Sequence, residues 1–306
     1  MASKSILEVR DLSVSFRMYD RGLEQKDLKV INDLSVTVRE GEILAVAGSS
    51  GSGKSLLAHA ILGLLPNNAR VTGQMQYMGD DLTPALQAKL RGRDMALVPQ
   101  SVEYLDPLMR VGKQVAGVHG SQGKQQAVFK KYGLSSLVEK LFPFQLSGGM
   151  ARRVLVSTAV IGDAKLIIAD EPTPGLSKEL AQTAMGHFRA LADEGRGVML
   201  ITHDIDLALH YADRIAVFYA GTTVETASTE DFRQGMDALR HPYTKALWQA
   251  IPQNGFKATR GVQPYAGSLP EGCLYAPRCP MKTDVCENNP EMRNLRDGEV
   301  RCFHAT

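Results

Sequence analysis

Gly48-Ser49-Ser50-Gly51-Ser52-Gly53-Lys54-Ser55 decides the reading of this chain. It lies between an apolar run, Ile43-Leu44-Ala45-Val46-Ala47, and a stretch whose apolar residues Leu56, Leu57, Ala60, Ile61 and Leu64 recur at helical spacing until Pro66. The order is strand, glycine-rich loop, helix, which is the context the pattern G-x-x-x-x-G-K-[ST] requires. Glycines allow backbone N–H groups to turn inward on phosphate oxygens, and the following helix contributes its positive N-terminal end. Lys54 is placed to reach the β- and γ-phosphates and Ser55 to hold Mg²⁺.

Working outward, Leu166-Ile167-Ile168-Ala169 and Val198-Met199-Leu200-Ile201 are apolar on both faces, as strands buried under helices must be. A helical stretch from about Glu179 to Asp193 separates them, so the core is expected to be α/β with a parallel sheet, in the manner of a P-loop NTPase. The first of these strands delivers Asp170 and Glu171 at its C-terminal end, where open α/β sheets bind ligands. Adjacent residues on a strand point in different directions, so Asp170 suits the metal and Glu171 a water. Leu7 and Val9, then Leu12, Val14 and Phe16, then Leu34, Val36 and Val38 alternate with polar residues and predict an N-terminal antiparallel β subdomain. Residues 101–160 lack strand signals and predict an inserted helical subdomain. The expected domains are 1–230, which carries the nucleotide chemistry, and a C-terminal extension over 231–306 richer in Pro and Cys.

Composition narrows the class. The 306 residues are 44% hydrophobic and 22% charged, and 35 basic residues nearly balance 33 acidic ones for a net charge of +2. A folded protein is implied, and one without the basic face of a dedicated nucleic-acid binder. No apolar stretch approaches the roughly 20 residues that span a bilayer, and the first residues do not read as a signal peptide. A cytosolic location is expected.

The phosphate loop alone is shared by GTPases, kinases and motors. Leu146-Ser147-Gly148-Gly149-Met150 adds a second anion-binding arrangement at a helix start, with no lysine of its own. The order GSSGSGKS, Gln100, LSGGM, LIIADEP (166–172) and His203 resembles the ATP-binding subunit of an ATP-binding cassette (ABC) transporter. The resemblance implies a head-to-tail dimer in which Ser147, Gly148 and Gly149 of each subunit cover the ATP held by the other. It implies Glu171 as general base, His203 as a γ-phosphate contact, and Gln100 as the link from the metal site to the transport channel. Ser55, Gln100 and Asp170 would surround Mg²⁺, and an N-terminal aromatic, Phe16 or else Tyr19, would stack on adenine. One position departs from the pattern: Ser177 stands where the family usually has the aspartate of a Leu-Asp pair that touches the partner. That substitution suggests an asymmetric heterodimer with a second, different ATPase.

Arg240-His241-Pro242-Tyr243-Thr244-Lys245-Ala246-Leu247 and Gly272 to Pro280 resemble the tail of the peptide and nickel importer branch. The cargo implied is an oligopeptide, a dipeptide or a nickel chelate. The four cysteines, Cys273, Cys279, Cys286 and Cys302, follow C-x5-C-x6-C-x15-C, wider than common zinc knuckles. In relatives of this branch a matching tail holds a [4Fe-4S] cluster, an assignment that cysteine-only ligation suits. Zinc and free packed thiols are the alternatives. The expected partners are membrane permease subunits, a second ABC ATPase and, indirectly, an extracytoplasmic substrate-binding protein, with the chain at the cytoplasmic face of the membrane. A non-transport ABC ATPase acting on nucleic acid or ribosomes is the second reading, and a regulatory ATP-binding module with little turnover is the third.

Overall fold

The computed structural model describes residues 4–19, 22–49, 51–117, 120–259 and 261–306. Two strands open it, β1 (Ser5–Tyr19) and β2 (Gln25–Arg39), each 15 residues long. The sequence suggests shorter pieces because the alternation breaks at Asp11 and Asp33. In the structure these two residues take φ of 49° and 46° within bulges of a continuous pair. Side chains cover the irregularity: Ser35 Oγ accepts from the Asp11 amide at 3.0 Å, and Ser13 Oγ accepts from the Asp33 amide at 3.0 Å. With β4 (Ala69–Tyr77) and β5 (Asp80–Asp81) they form an antiparallel sheet in the order β2-β1-β4-β5.

Between these lie β3 (Ile43–Gly48) and α1 (Lys54–Leu62), followed later by α2 (Pro84–Leu90) and β6 (Met95–Val98). Next come α3 (Val111–Ala116), α4 (Gln122–Lys131) and α5 (Gly148–Val160), joined by short 3-10 turns. These helices carry their own core of Leu105, Val111, Val115, Phe129, Leu134, Val138, Val154 and Leu155. The chain returns to the main sheet through β7 (Leu166–Asp170), α6 (Lys178–Asp193), β8 (Gly197–Thr202), α7 (Ile205–Tyr211), β9 (Arg214–Tyr219) and β10 (Thr222–Ser228). It ends with α8 (Thr229–Gln234), α9 (Pro242–Gln249) and the hairpin β11 (Arg293–Leu295) and β12 (Gly298–Val300).

The main sheet runs β11-β12-β10-β9-β3-β8-β7-β6, parallel from β9 to β6. Its central strands are apolar on both faces because each face meets a different core. Ile43, Ala45 and Ala47 of β3 join Ile167, Ala169, Val198 and Leu200 on one side, under Phe188 and Met185 of α6. Leu44 and Val46 join Ile168, Met199 and Ile201 on the other, facing α1 and the antiparallel sheet. At the far edge β10 pairs antiparallel with β12, so the main sheet continues across residue 230 into the C-terminal region.

That junction is polar and buried. Arg240 and Glu225 have side-chain exposures of 1% and 0%, with Arg240 Nη1 at 3.3 Å from Glu225 Oε1 and 3.0 Å from Asp231 Oδ2. The Glu225 carboxylate also accepts from the amides of Arg240 at 3.0 Å and His241 at 2.7 Å. Burial pushes the Glu225 carboxyl up, and these donors pull it back toward the charged form. Burial likewise pushes the His241 imidazole down to about 3. It stays neutral, with Nδ1 accepting from the Tyr243 amide at 2.9 Å.

Candidate nucleotide site

The phosphate loop leaves β3 at Gly48, where a side chain is excluded: a Cβ there would lie 2.4 Å from the Phe218 carbonyl oxygen. It enters α1 at Gly53, which caps the helix with φ of 92°, a conformation that glycine adopts without steric cost. Lys54 is 8% exposed, and its Nζ donates to the carbonyls of Gly48 at 2.9 Å and Ser49 at 3.0 Å. Burial lowers its pKa while Glu171 and Asp170 raise it, so the ammonium is held facing two carboxylates. Ser50 lies outside the described residues.

A cleft of about 730 Å³ opens over this loop. Gly51, Gly53, Lys54 and Ser55 line it together with Phe16, Gln100, Glu171 and His203. The structure therefore brings residues as far apart in sequence as Phe16 and His203 to one cavity. Tyr19, 66% exposed, is not among the residues that line it.

Asp170 closes β7 and is 3% exposed. Burial raises its pKa, a hydrogen bond from Ser55 lowers it, and its Oδ1 has no partner. A buried carboxylate oxygen beside a serine hydroxyl is a donor set that fits Mg²⁺, which takes one or two carboxylates and phosphate oxygens. Glu171 is held differently. Its φ is 47°, unusual for a residue with a Cβ, and its amide donates to the Ile201 carbonyl at 2.9 Å. The turn directs its side chain to His203, whose Nδ1 is 2.9 and 2.8 Å from the two carboxylate oxygens. Such backbone strain recurs at functional sites.

Ser147 caps α5, its Oγ accepting from the Met150 amide at 3.3 Å. It is exposed with Gly148, and neither they nor Gly149 line the cleft. Within one chain Ser147, Gly148 and Gly149 thus do not share the cleft over the phosphate loop. Ser177 caps α6, accepting from the Leu180 amide at 3.4 Å. Serine and aspartate are equally good N-caps, so the helix start is kept while a charge is absent.

Sequence reasoning missed several residues around this site. Arg152, 6% exposed, donates to the carbonyls of Pro99 at 3.0 Å and Gln100 at 2.7 Å, fixing the turn that presents Gln100. Val30, His59 and Pro174 also line the cleft. None stands in a recognisable motif; only the spacing of Arg152 behind LSGG offered a signal.

The four cysteines are free thiols, Cys286 and Cys302 buried and Cys273 and Cys279 half-buried. Burial pushes the thiols of Cys273, Cys279 and Cys302 up, and each also feels neighbouring cysteines. They share one neighbourhood. Among the described residues, however, no group of three or more His, Cys, Asp or Glu is arranged to hold a metal ion. The thiols as placed do not form a ready cluster site.

Comparisons with known proteins agree with this geometry. The ABC transporter family profile matches residues 31–174, and that of the oligopeptide/dipeptide transporter C-terminal region matches 224–286. The oligopeptide transport ATP-binding protein OppD of Salmonella typhimurium is 33% identical over 321 residues, covering 97% of this chain and 93% of that protein. The dipeptide transport ATP-binding protein DppD of Haemophilus influenzae is 33% identical, with 97% and 95% covered. Among solved structures, a dimeric bacterial ABC transporter cassette superposes with a TM-score of 0.64 at 24% identity, over 73% of this chain and 98% of that one. An ATP-binding subunit of an ABC transporter gives 0.62 at 25% identity, over 75% and 92%.

Proposed function

The chain belongs to the family of ABC transporter ATP-binding subunits, and we propose that it powers the uptake of short peptides through a separate membrane permease. The observation that carries this is the single cleft uniting the phosphate loop with Gln100, Glu171 and His203, in a chain whose C-terminal region matches that of oligopeptide and dipeptide transporters.

In this reading the amides of residues 48–53 and Lys54 bind the phosphates, and Phe16 stacks on adenine. Ser55, Asp170 and Gln100 would hold Mg²⁺, which would supply positive charge to offset that of the phosphates. Glu171 accepts the proton of the attacking water, and His203 fixes the carboxylate through Nδ1 and contacts the γ-phosphate. Ser147, Gly148 and Gly149 cover the ATP of a second ATPase subunit. Ser177, which lacks the usual charge at that interface, favours a non-identical partner. The chain divides into an ATPase domain over 1–230, with the helical subdomain at about 101–160, and the extension over 231–306.

The permease docks at the cytoplasmic face beside Gln100, where Tyr104, Leu108 and Met109 are exposed at 58%, 88% and 40%. An extracytoplasmic binding protein selects the cargo. Peptide is favoured over a nickel chelate by the names of the relatives, which are peptide transport proteins. The shared neighbourhood of the four cysteines supports a [4Fe-4S] cluster formed on rearrangement of that module; anaerobic protein without iron removes it. Nucleic acid is not a partner in this reading, in line with the net charge of +2.

Capture of the tagged chain from its native membranes with ATP and vanadate tests the whole reading. Two permeases, a second ATPase and a peptide-binding protein are expected in the retained material. A catch without any integral membrane protein refutes the transport assignment.

A further inference from the structure

The phosphate loop is gripped from outside its own strand-loop-helix unit. Ser49 follows β3 directly, and its hydroxyl donates to Gln263 Oε1 at 2.5 Å, across 214 positions of sequence. The Tyr243 hydroxyl lies beside the same serine, whose side chain and backbone draw its pKa back from the rise that burial causes. Both residues belong to the C-terminal region.

The Gln263 contact is solvent-exposed, whereas Tyr243 is firmly packed. Tyr243 is 5% exposed in α9. Its ring centroid is 4.6 Å from that of Tyr219 and 5.4 Å from that of Tyr275, and Tyr219 meets Tyr275 nearly edge-on at 5.2 Å. Tyr219 ends β9, next to the Phe218 carbonyl that crowds Gly48. The backbone of Tyr243 is itself fixed through His241 Nδ1, and the His241 amide through Glu225. A chain of buried contacts therefore runs from the β10 junction to the entry of the phosphate loop.

We infer that Tyr243 and Gln263 are positioning residues for ATP, holding Ser49 so that the phosphate loop is ordered before nucleotide arrives. A loop that must present several amides to phosphate loses conformational freedom on binding, and restraints already present in the free protein reduce that loss. The effect falls on affinity. Neither side chain touches the Glu171 and His203 pair, so the chemical step proceeds unchanged once ATP is seated. The inference rests on the reading of the cleft as an ATP site.

Calorimetric titration of the full chain with Mg-ATP, together with its steady-state ATPase rate, tests both levels. Wild type should bind and Lys54→Ala should not; failure of wild type to bind ATP refutes the site assignment itself. Given wild-type binding, Gln263→Ala and Tyr243→Phe should each weaken ATP affinity about three- to tenfold, the net effect of one lost hydrogen bond. kcat at saturating ATP and the thermal midpoint should change little. Combined with Ser49→Ala, Gln263→Ala should weaken binding no further than the stronger single change, since both act through one hydroxyl. Unchanged affinity, a loss confined to kcat, or additive losses of Gln263→Ala with Ser49→Ala would each overturn the positioning role.

Discussion

The Glu171 carboxylate spans the imidazole of His203, with both of its oxygens within 2.9 Å of Nδ1. The pair joins the C-terminal ends of β7 and β8 in the cleft that Lys54 also lines, with the Glu171 side chain 10% exposed and that of His203 68%. The carboxylate is oriented by its neighbour, and the neighbour's ring faces the cleft mouth.

Glu171→Gln preserves shape and removes the base. ATP hydrolysis should fall by about 100-fold or more, in keeping with the usual contribution of a positioned base, while ATP still binds. A single-turnover assay with size analysis should find ATP retained in a closed dimer. Unchanged turnover refutes the assignment. His203→Ala should also slow hydrolysis and leave ATP affinity within a few-fold.

Removing Glu225 takes a buried carboxylate away from the Arg240 guanidinium. Glu225→Ala leaves Arg240 with Asp231 and the carbonyls of Leu295 and Arg296 but frees the buried amides of Arg240 and His241, so unfolding stability should drop by about 3–5 kcal/mol. Urea titration reads this directly. A loss below about 1 kcal/mol would mean that the junction relaxes to let water in.

Stability should also decline in mild acid. His241 is neutral in the fold with its pKa near 3, whereas in the unfolded chain it titrates near 6.5. Above pH 6.5 neither state takes the proton and no penalty exists. As pH falls from about 6.5 toward 3 the unfolded state binds a proton that the folded state refuses, at a cost approaching 1.4 kcal/mol per pH unit. His187, whose pKa burial pushes down to about 4, acts in the same direction. Chemical denaturation at pH 7.5 and 5.0 should show the loss, and His241→Asn should reduce the difference between the two values.

Gly221 sits at φ of 83° with a would-be Cβ 2.1 Å from the Val30 carbonyl oxygen. Gly221→Ala must displace β2 there, and Val30 lines the nucleotide cleft. The substitution should cost about 1–3 kcal/mol of stability and weaken ATP binding together. A variant that binds ATP normally would show that the strand can shift without disturbing the cleft.

The parts of this molecule that were legible in its sequence are those where one local rule prevails. Ile43 to Ala47, Leu166 to Ala169 and Val198 to Ile201 read as central strands because they are apolar on both faces, and the glycines and lysine of the phosphate loop stand in a fixed spacing. β10 was not legible. Its Thr222, Thr223, Glu225 and Thr226 are buried but polar, and a buried polar residue carries a surface signature until its distant partner is known. β4 hid for the opposite reason, with Arg70 to Gln74 exposed and no alternation to follow. At the cleft, Glu171, His203 and Gln100 could be listed from their motifs. The grip of Arg152 on the Gln100 carbonyl and of Gln263 on Ser49 could not, since long-range hydrogen bonds leave no periodic trace.

The pairing of β12 with β10 also sets an order of events at the ribosome. β10 is complete by residue 228, yet the strand that covers its open edge does not emerge until residues 298–300. For some 70 residues of synthesis, at roughly 5–20 residues per second, the nascent sheet exposes unpaired backbone groups of the kind that recruit other chains. A message truncated before Arg293 would release that species permanently. Its product should be found in inclusion bodies or with chaperones, although every nucleotide-cleft residue named above has already been translated.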